Sequence, residues 1–163
     1  ECYTEDGYCR TGDRGERDEE GRLKITGRVK ELFKTSKGKY VAPVPIENLI
    51  NNNNHVEMCC VTGSGQPKQF ALVLLADELR PKLSDSTVRA EIEAELEALL
   101  KEVNQEVEEF ERLQFLVVVK DPWLIENGFL TPTMKMKRTK LEDTYEPKTD
   151  EWYGAGKRIV WEA

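Results

Sequence analysis

The sequence predicts a small α+β domain. Short β-rich runs alternate with stretches of helical periodicity, apolar residues recur at spacings of three and four from Ile92 to Leu113, and no internal repeat is visible. A chain of 163 residues suffices for one main hydrophobic core, or for one domain with a remnant of a neighbour.

From residue 8 to 28, short apolar stretches alternate with turn chemistry. Asp18, Glu19, Glu20 and Gly21 read as a hairpin loop before a strand at 23–26, the last piece of an upstream domain. Residues 31–35 read as another short strand. A loop of Ser36, Lys37, Gly38 and Lys39 follows, and Pro43 starts a short helix that runs through Ile50 and is closed by the asparagines at 51–54. The β-rich runs 55–62 and 69–76 form a strand pair around a loop at 63–68. With Ser84 as N-cap, Ile92, Leu96, Leu99, Val103, Val107, Phe110 and Leu113 predict an amphipathic helical stretch with a break near Asn104. Residues 115–119, with three consecutive valines, predict a buried strand. Asn127 and Gly128 then turn the chain, 131–137 is an exposed basic loop, and 138–145 begins a final helix. Trp123, Trp152 and Trp161 are expected to be packing anchors, and the Glu-rich face of the long helix a solvated surface.

Composition narrows the function. Hydrophobic residues at 39% and charged ones at 34% fit a folded globule. With 31 acidic against 24 basic residues the net charge is −7, which disfavours nucleic-acid binding and requires a local basic cluster for any anionic ligand. Cys2, Cys9, Cys59 and Cys60 show neither zinc-knuckle spacing nor a CxxC pair, so buried reduced thiols in a cytoplasmic setting, and no metal site, are expected. His55 reads as structural. No run approaches the ~18 apolar residues of a membrane span, no signal peptide is visible, and a start at Glu1 within turn-rich sequence reads as a piece of a longer protein.

Three segments combine polar residues in ways that packing does not require. In Tyr8-Cys9-Arg10-Thr11-Gly12-Asp13, Gly12 permits a tight turn beside Asp13, whose carboxylate could accept hydrogen bonds from both vicinal hydroxyls of a ribose or simply close an Asx-turn. In 27–43, Arg28, Lys30, Lys34, Lys37 and Lys39 fall within twelve residues, and Gly27 and Gly38 allow close approach; a lysine-protected edge strand is the alternative. In 127–138, Pro132 stiffens a loop from which Lys135 and Arg138 could offer positive charge to a phosphate. Basic residues at a helix start oppose the helix dipole, which favours a functional reason for them. Gly63-Ser64-Gly65, the one Gly-rich candidate for a phosphate loop, reads as a hairpin turn.

In this order, and over nearly the whole chain, the segments resemble the closing motifs of the adenylate-forming superfamily of acyl-CoA synthetases, luciferases and peptide-synthetase adenylation domains. The stretches 35–43 and 130–138 are most similar to the long-chain fatty-acid–CoA ligase branch. The resemblance implies a C-terminal lid domain at 30–163, with a short mixed sheet flanked by helices, preceded at 1–29 by a β-hairpin remnant of the large N-terminal adenylation domain. It implies that Asp13 and Arg28 contact the ribose, that Lys30 is the hinge of the lid, that Lys135 is the catalytic lysine of adenylation, and that Gly38 lines the pantetheine tunnel. Many relatives carry Ser-Gly-Lys where Thr133, Met134 and Lys135 stand here, but the Lys-to-Arg spacing of three is kept, so Lys135 is preferred over Lys137. Lys34 and Glu47 also match motif positions, without an assigned role.

The reaction so implied joins a fatty acid to coenzyme A through an acyl-adenylate, using ATP with Mg2+ held largely by the upstream domain. The phosphate loop, adenine pocket and acyl tunnel are expected upstream of these segments, so the fragment alone should be inactive. The full-length enzyme could associate peripherally with a membrane. Two alternatives stand: transfer of the acyl group to a carrier-protein phosphopantetheine or to reduction, and a non-catalytic interaction module that keeps the lid fold.

Overall fold

The computed structural model describes residues 3–162; the reading of Cys2 as a buried thiol lies outside them. The α+β expectation holds. The core is a four-stranded mixed sheet of β5 (Val56–Thr62), β6 (Phe70–Leu75), β7 (Leu116–Val118) and β8 (Ile159–Trp161), in that spatial order. β5 runs antiparallel to β6, whereas β6, β7 and β8 are mutually parallel. Every residue of β6 is buried, because helices cover both sheet faces and side chains alternate between them.

One face carries Cys59, Val61, Ala71, Val73, Leu75, Leu116, Val118 and Ile159 under α1 (Pro43–Asn51) and α2 (Ser86–Glu106). α1 contributes Ile46 and Ile50, and α2 Ile92, Leu96, Leu99, Leu100 and Val103, one turn apart along each helix. The opposite face carries Cys60, Phe70, Leu72, Leu74, Phe115, Val117 and Val160 under Trp123, Phe129, Leu130, α3 (Arg138–Tyr145) and α4 (Thr149–Gly154). Trp123 and Trp152 are buried anchors as expected, while Trp161 is half-buried, donating to Glu93 at 2.8 Å and lying under the Arg89 guanidinium.

The N-terminal hairpin pairs β1 (Asp13–Arg17) with β2 (Leu23–Arg28), and nearly all of it is exposed. A second small ribbon joins β3 (Phe33–Lys34) to β4 (Tyr40–Val41) and buries Phe33 and Val41 against the α1/α2 side.

Several expectations need correction. Residues 31–35 do not form one strand: Val29–Glu31 is a short helical turn, and only Phe33–Lys34 pairs. The N-cap of the long helix is Asp85, whose carboxylate accepts the Thr87 N–H at 2.8 Å, and not Ser84. The break expected near Asn104 is present: the helix stops at Glu106, and the Asn104 amide bonds both the N–H and the C=O of Leu113 and folds the chain back, leaving Phe110 exposed. The helix at 138–145 is not the last element, since α4 and β8 follow it. Cys9 is an exposed free thiol, unlike the buried Cys59 and Cys60.

Candidate functional site

Asp13 and Arg28, far apart in sequence, face each other at the end of the β1–β2 ladder, and Arg28 Nε donates to Asp13 Oδ1 at 3.1 Å. Gly12 adopts φ +79°, and its carbonyl accepts the Val29 N–H, so the turn before Asp13 is tied to the exit of β2. The two sequence-predicted ribose contacts are therefore neighbours. Lys30 sits exposed in the Val29–Glu31 turn, between the hairpin and the β3–β4 ribbon.

Gly38 lies in the tight connection from β3 to β4. Its φ of +80° is left-handed, and its N–H donates to the Thr35 carbonyl at 2.9 Å. The loop at 63–68 braces this turn from outside: Ser36 N–H donates to the Gln66 carbonyl at 3.0 Å and Gly65 N–H to the Lys34 carbonyl at 2.9 Å. Gly63-Ser64-Gly65 is indeed the β5–β6 hairpin connection, and its backbone is what holds the lysine-rich turn. Within the basic island, Lys34 lies over the Tyr40 ring and Lys39 over the exposed Phe110 ring, each 5.6 Å from the centroid. Lys37, Lys39, Lys68 and Phe110 line a shallow recess beside the turn.

Lys135 is exposed near the tip of the loop between Leu130 and α3. The loop closes on itself: Thr131 N–H donates to the Lys135 carbonyl at 2.8 Å, Met134 N–H to the Thr131 carbonyl at 2.8 Å, and Lys135 N–H to Thr131 Oγ1 at 3.0 Å. Its stem is anchored where Lys137 N–H donates to the Phe129 carbonyl and Leu130 bridges to Met136. Met134, beside Lys135, has φ +60°, the one left-handed non-glycine among the described residues.

Arg138 does not stand free to meet a phosphate, as the sequence suggested. Its guanidinium grips Glu47 with two bonds, Nη1 to Oε1 at 2.8 Å and Nη2 to Oε2 at 2.9 Å, and Nη1 also reaches the Val61 carbonyl at 3.0 Å and Cys60 Sγ at 3.3 Å. Only 15% of the Arg138 side chain and 8% of that of Glu47 are exposed. Glu47 Oε1 accepts the Val61 N–H at 2.8 Å as well, which supplies the role that sequence left open for this residue. Burial opposes the charge on Arg138, but the Glu47 hydrogen bonds outweigh it and hold the guanidinium above its ordinary pKa. Burial likewise pushes the Cys60 thiol well up, despite the opposing charge of Arg138. The conflict of a basic residue at a helix start is thus resolved by a carboxylate that is distant in sequence. No sequence signal besides the motif positions pointed to this pairing.

Among the described residues no three His, Cys, Asp or Glu side chains converge on one point. Nor, among those residues, is any helix long and apolar enough to cross a membrane.

The four-stranded mixed sheet, with the Gly38 turn on the separate β3–β4 ribbon and Lys135 on the loop before α3, has the fold of the C-terminal lid of adenylate-forming enzymes. The model of the AMP-binding enzyme C-terminal domain matches residues 31–157, and the chain belongs to that family. It is 30% identical to the long chain acyl-CoA synthetase 6, peroxisomal, of Arabidopsis thaliana over 161 residues, which covers 89% of this chain and 23% of that protein. With the long-chain-fatty-acid–CoA ligase 5 of Mus musculus it shares 31% identity over 170 residues, covering 94% of this chain and 24% of the ligase. Among solved structures, the adenylation domain of a carboxylate reductase from Mycobacterium chelonae matches with a TM-score of 0.76 at 26% identity, over 94% of this chain and 24% of that one. The chain spans about a quarter of the length of these relatives.

Proposed function

We propose that the chain is the lid, with the adjoining hairpin, of an ATP-dependent long-chain fatty-acid–CoA ligase, with residues 1–29 ending the upstream adenylation domain and 30–163 forming the lid. The observation that carries this reading is the internally bonded loop that presents Lys135 to solvent without burying it against the lid's own core. In the adenylating orientation the Lys135 ammonium meets the negative charge that builds as the fatty carboxylate attacks the α-phosphate of ATP. Its compact charge on a flexible stem suits a group that must enter and leave. Asp13 accepts from the ribose hydroxyls, with Arg28 beside it. Rotation at Lys30 then withdraws Lys135 and brings the Gly38 turn to the pantetheine arm of coenzyme A, where the missing side chain leaves room for a thin chain to pass.

The test uses the full-length enzyme and the lid side by side. Lys135→Ala in the full-length enzyme should slow fatty-acid-dependent pyrophosphate exchange by about a hundredfold or more. Thioester formation from supplied acyl-adenylate should be little affected. The isolated chain should form no acyl-adenylate and show no micromolar ATP binding by calorimetry. Undiminished exchange in the variant would remove the adenylation role of Lys135. The similarity to carboxylate reductase adenylation domains, one of them solved together with its carrier domain from Segniliparus rugosus at 25% identity and a TM-score of 0.73, supports a second reading. In that reading the acyl group passes to a carrier-protein phosphopantetheine or to reduction. Product analysis with free coenzyme A against carrier protein separates the two.

A further inference from the structure

We propose that Glu47 and Arg138 are positioning residues for Lys135: the buried pair fixes the start of α3 against β5 and so sets where the Lys135 ammonium arrives during adenylation. The inference rests on the adenylation role assigned to Lys135.

The N-terminal end of α3 is held by the loop stem, where Lys137 N–H donates to the Phe129 carbonyl at 2.8 Å, by the Thr62 hydroxyl donating to Glu142 at 2.9 Å, and by Arg138. Its first buried residue, Leu141, is the fourth of the helix, and Lys137 at the cap position contributes no side-chain bond. Of these contacts, Arg138 is the one that ties the first turn to two elements at once, through Glu47 on α1 and Val61 on β5. Glu47 in turn bonds the Val61 N–H, so one carboxylate and one guanidinium clamp both main-chain polar groups of a single β5 residue. Lys135 is three residues before Arg138. Only Met136 and Lys137 stand between them, and the loop ahead of Lys135 is closed by its own hydrogen bonds, so a displaced helix start carries the ammonium with it.

Stability alone gives a weak reason for such a pair. Buried ion pairs are commonly replaceable by apolar residues without loss, because desolvation offsets their attraction. Here Arg138 Nε is moreover buried without a partner among the described residues, so the cluster is not the fully satisfied network that a purely stabilising role favours. What the pair does provide is direction: a planar two-pronged contact fixes orientation as well as distance, which lysine cannot reproduce.

The experiment compares Arg138→Lys, the uncharged double variant Glu47→Gln/Arg138→Met and Lys135→Ala in the full-length enzyme. Gln keeps an acceptor for the Val61 N–H, and Met fills the space of the arginine stem. The readouts are thermal unfolding, kcat and KM in pyrophosphate exchange, and thioester formation from supplied acyl-adenylate. The expected result is a fall in exchange kcat of about tenfold or more for both pair variants, with the KM for ATP and the thioester step within about twofold of the parent. The double variant should show that fall even with its melting temperature within about 5 °C of the parent. Exchange at the parental rate in a folded double variant overturns the inference, and so does a parallel fall of both half-reactions that follows lost stability. Lys135→Ala distinguishes the two levels: if it leaves exchange intact, the adenylation reading itself fails, whereas if it abolishes exchange while the pair variants are unaffected, only the positioning role fails.

Discussion

Lys135 and Met134 show how much one residue position decides. A left-handed backbone costs a side-chain-bearing residue about 1–2 kcal/mol, while glycine there gives back about 0.5–1 kcal/mol of extra chain entropy. The first effect is the larger, so Met134→Gly, the residue type many adenylate-forming enzymes carry at this place, should stabilise the chain by about 0.5 kcal/mol and raise Tm by about 2 °C. A lowered Tm in thermal unfolding would show that the exposed methionine makes a stabilising contact. The sequence showed that Met134 departs from the usual motif; only the φ of +60° shows that the departure is strained. Arg138 gives the opposite lesson. Its charge was visible in sequence, but its partner lies 91 positions away, and burial turned a presumed phosphate contact into an internal one.

At the scale of elements, α2 illustrates a helix whose face and approximate end were legible, but not the contact that ends it. Ile92, Leu96, Leu99 and Val103 are buried as their spacing requires, yet Val107 and Phe110 continue the same spacing and lie outside the helix. Periodicity does not see a tertiary stop. The Asn104 amide is that stop, with 2.9 Å to the Leu113 carbonyl and 2.8 Å from its N–H. Asn104→Ala leaves both half-buried groups unpaired and should destabilise the chain by about 2 kcal/mol in denaturant unfolding. An effect below about 0.5 kcal/mol would mean that water replaces the amide at no cost. The Gly38 turn and the 63–68 loop make the same point: each was legible as a loop, but the backbone bonds that join them needed the folded sheet.

The whole molecule stores a pH dependence in its two cores. Burial pushes the thiols of Cys59 and Cys60 up from an ordinary value of 9.0, and pushes Tyr145 up to about 12, partly opposed by its hydrogen bond from Trp123. In the unfolded chain these groups ionise at their ordinary values while the folded chain keeps its protons. The stability they contribute is therefore complete below pH 9.0 and is lost as pH rises, by about 1.4 kcal/mol per pH unit for each thiol. Urea unfolding should show a falling midpoint from about pH 9, and in Cys59→Ala/Cys60→Ala the onset should move to about pH 10, where tyrosines begin to ionise. An unchanged onset in that variant would assign the alkaline loss to other groups.

The sequence by itself determined the α+β class, the hairpin, the strand pair at 55–76, the buried valine strand, and the positions of Lys135 and Gly38 on loops. These depend on local periodicity, turn residues and short motifs, which a linear reading contains. The tertiary structure decided the strand order, with β7 and β8 parallel to β6, and the pairing of Glu47 with Arg138. It also decided which of two neighbouring basic residues stays free: Lys135 is exposed on a self-closed loop, while Arg138 is drawn beneath it into the core. The physical reason is that burial and long-range partnership are properties of packed surfaces, and no local pattern states which charge will find a carboxylate when the layers close.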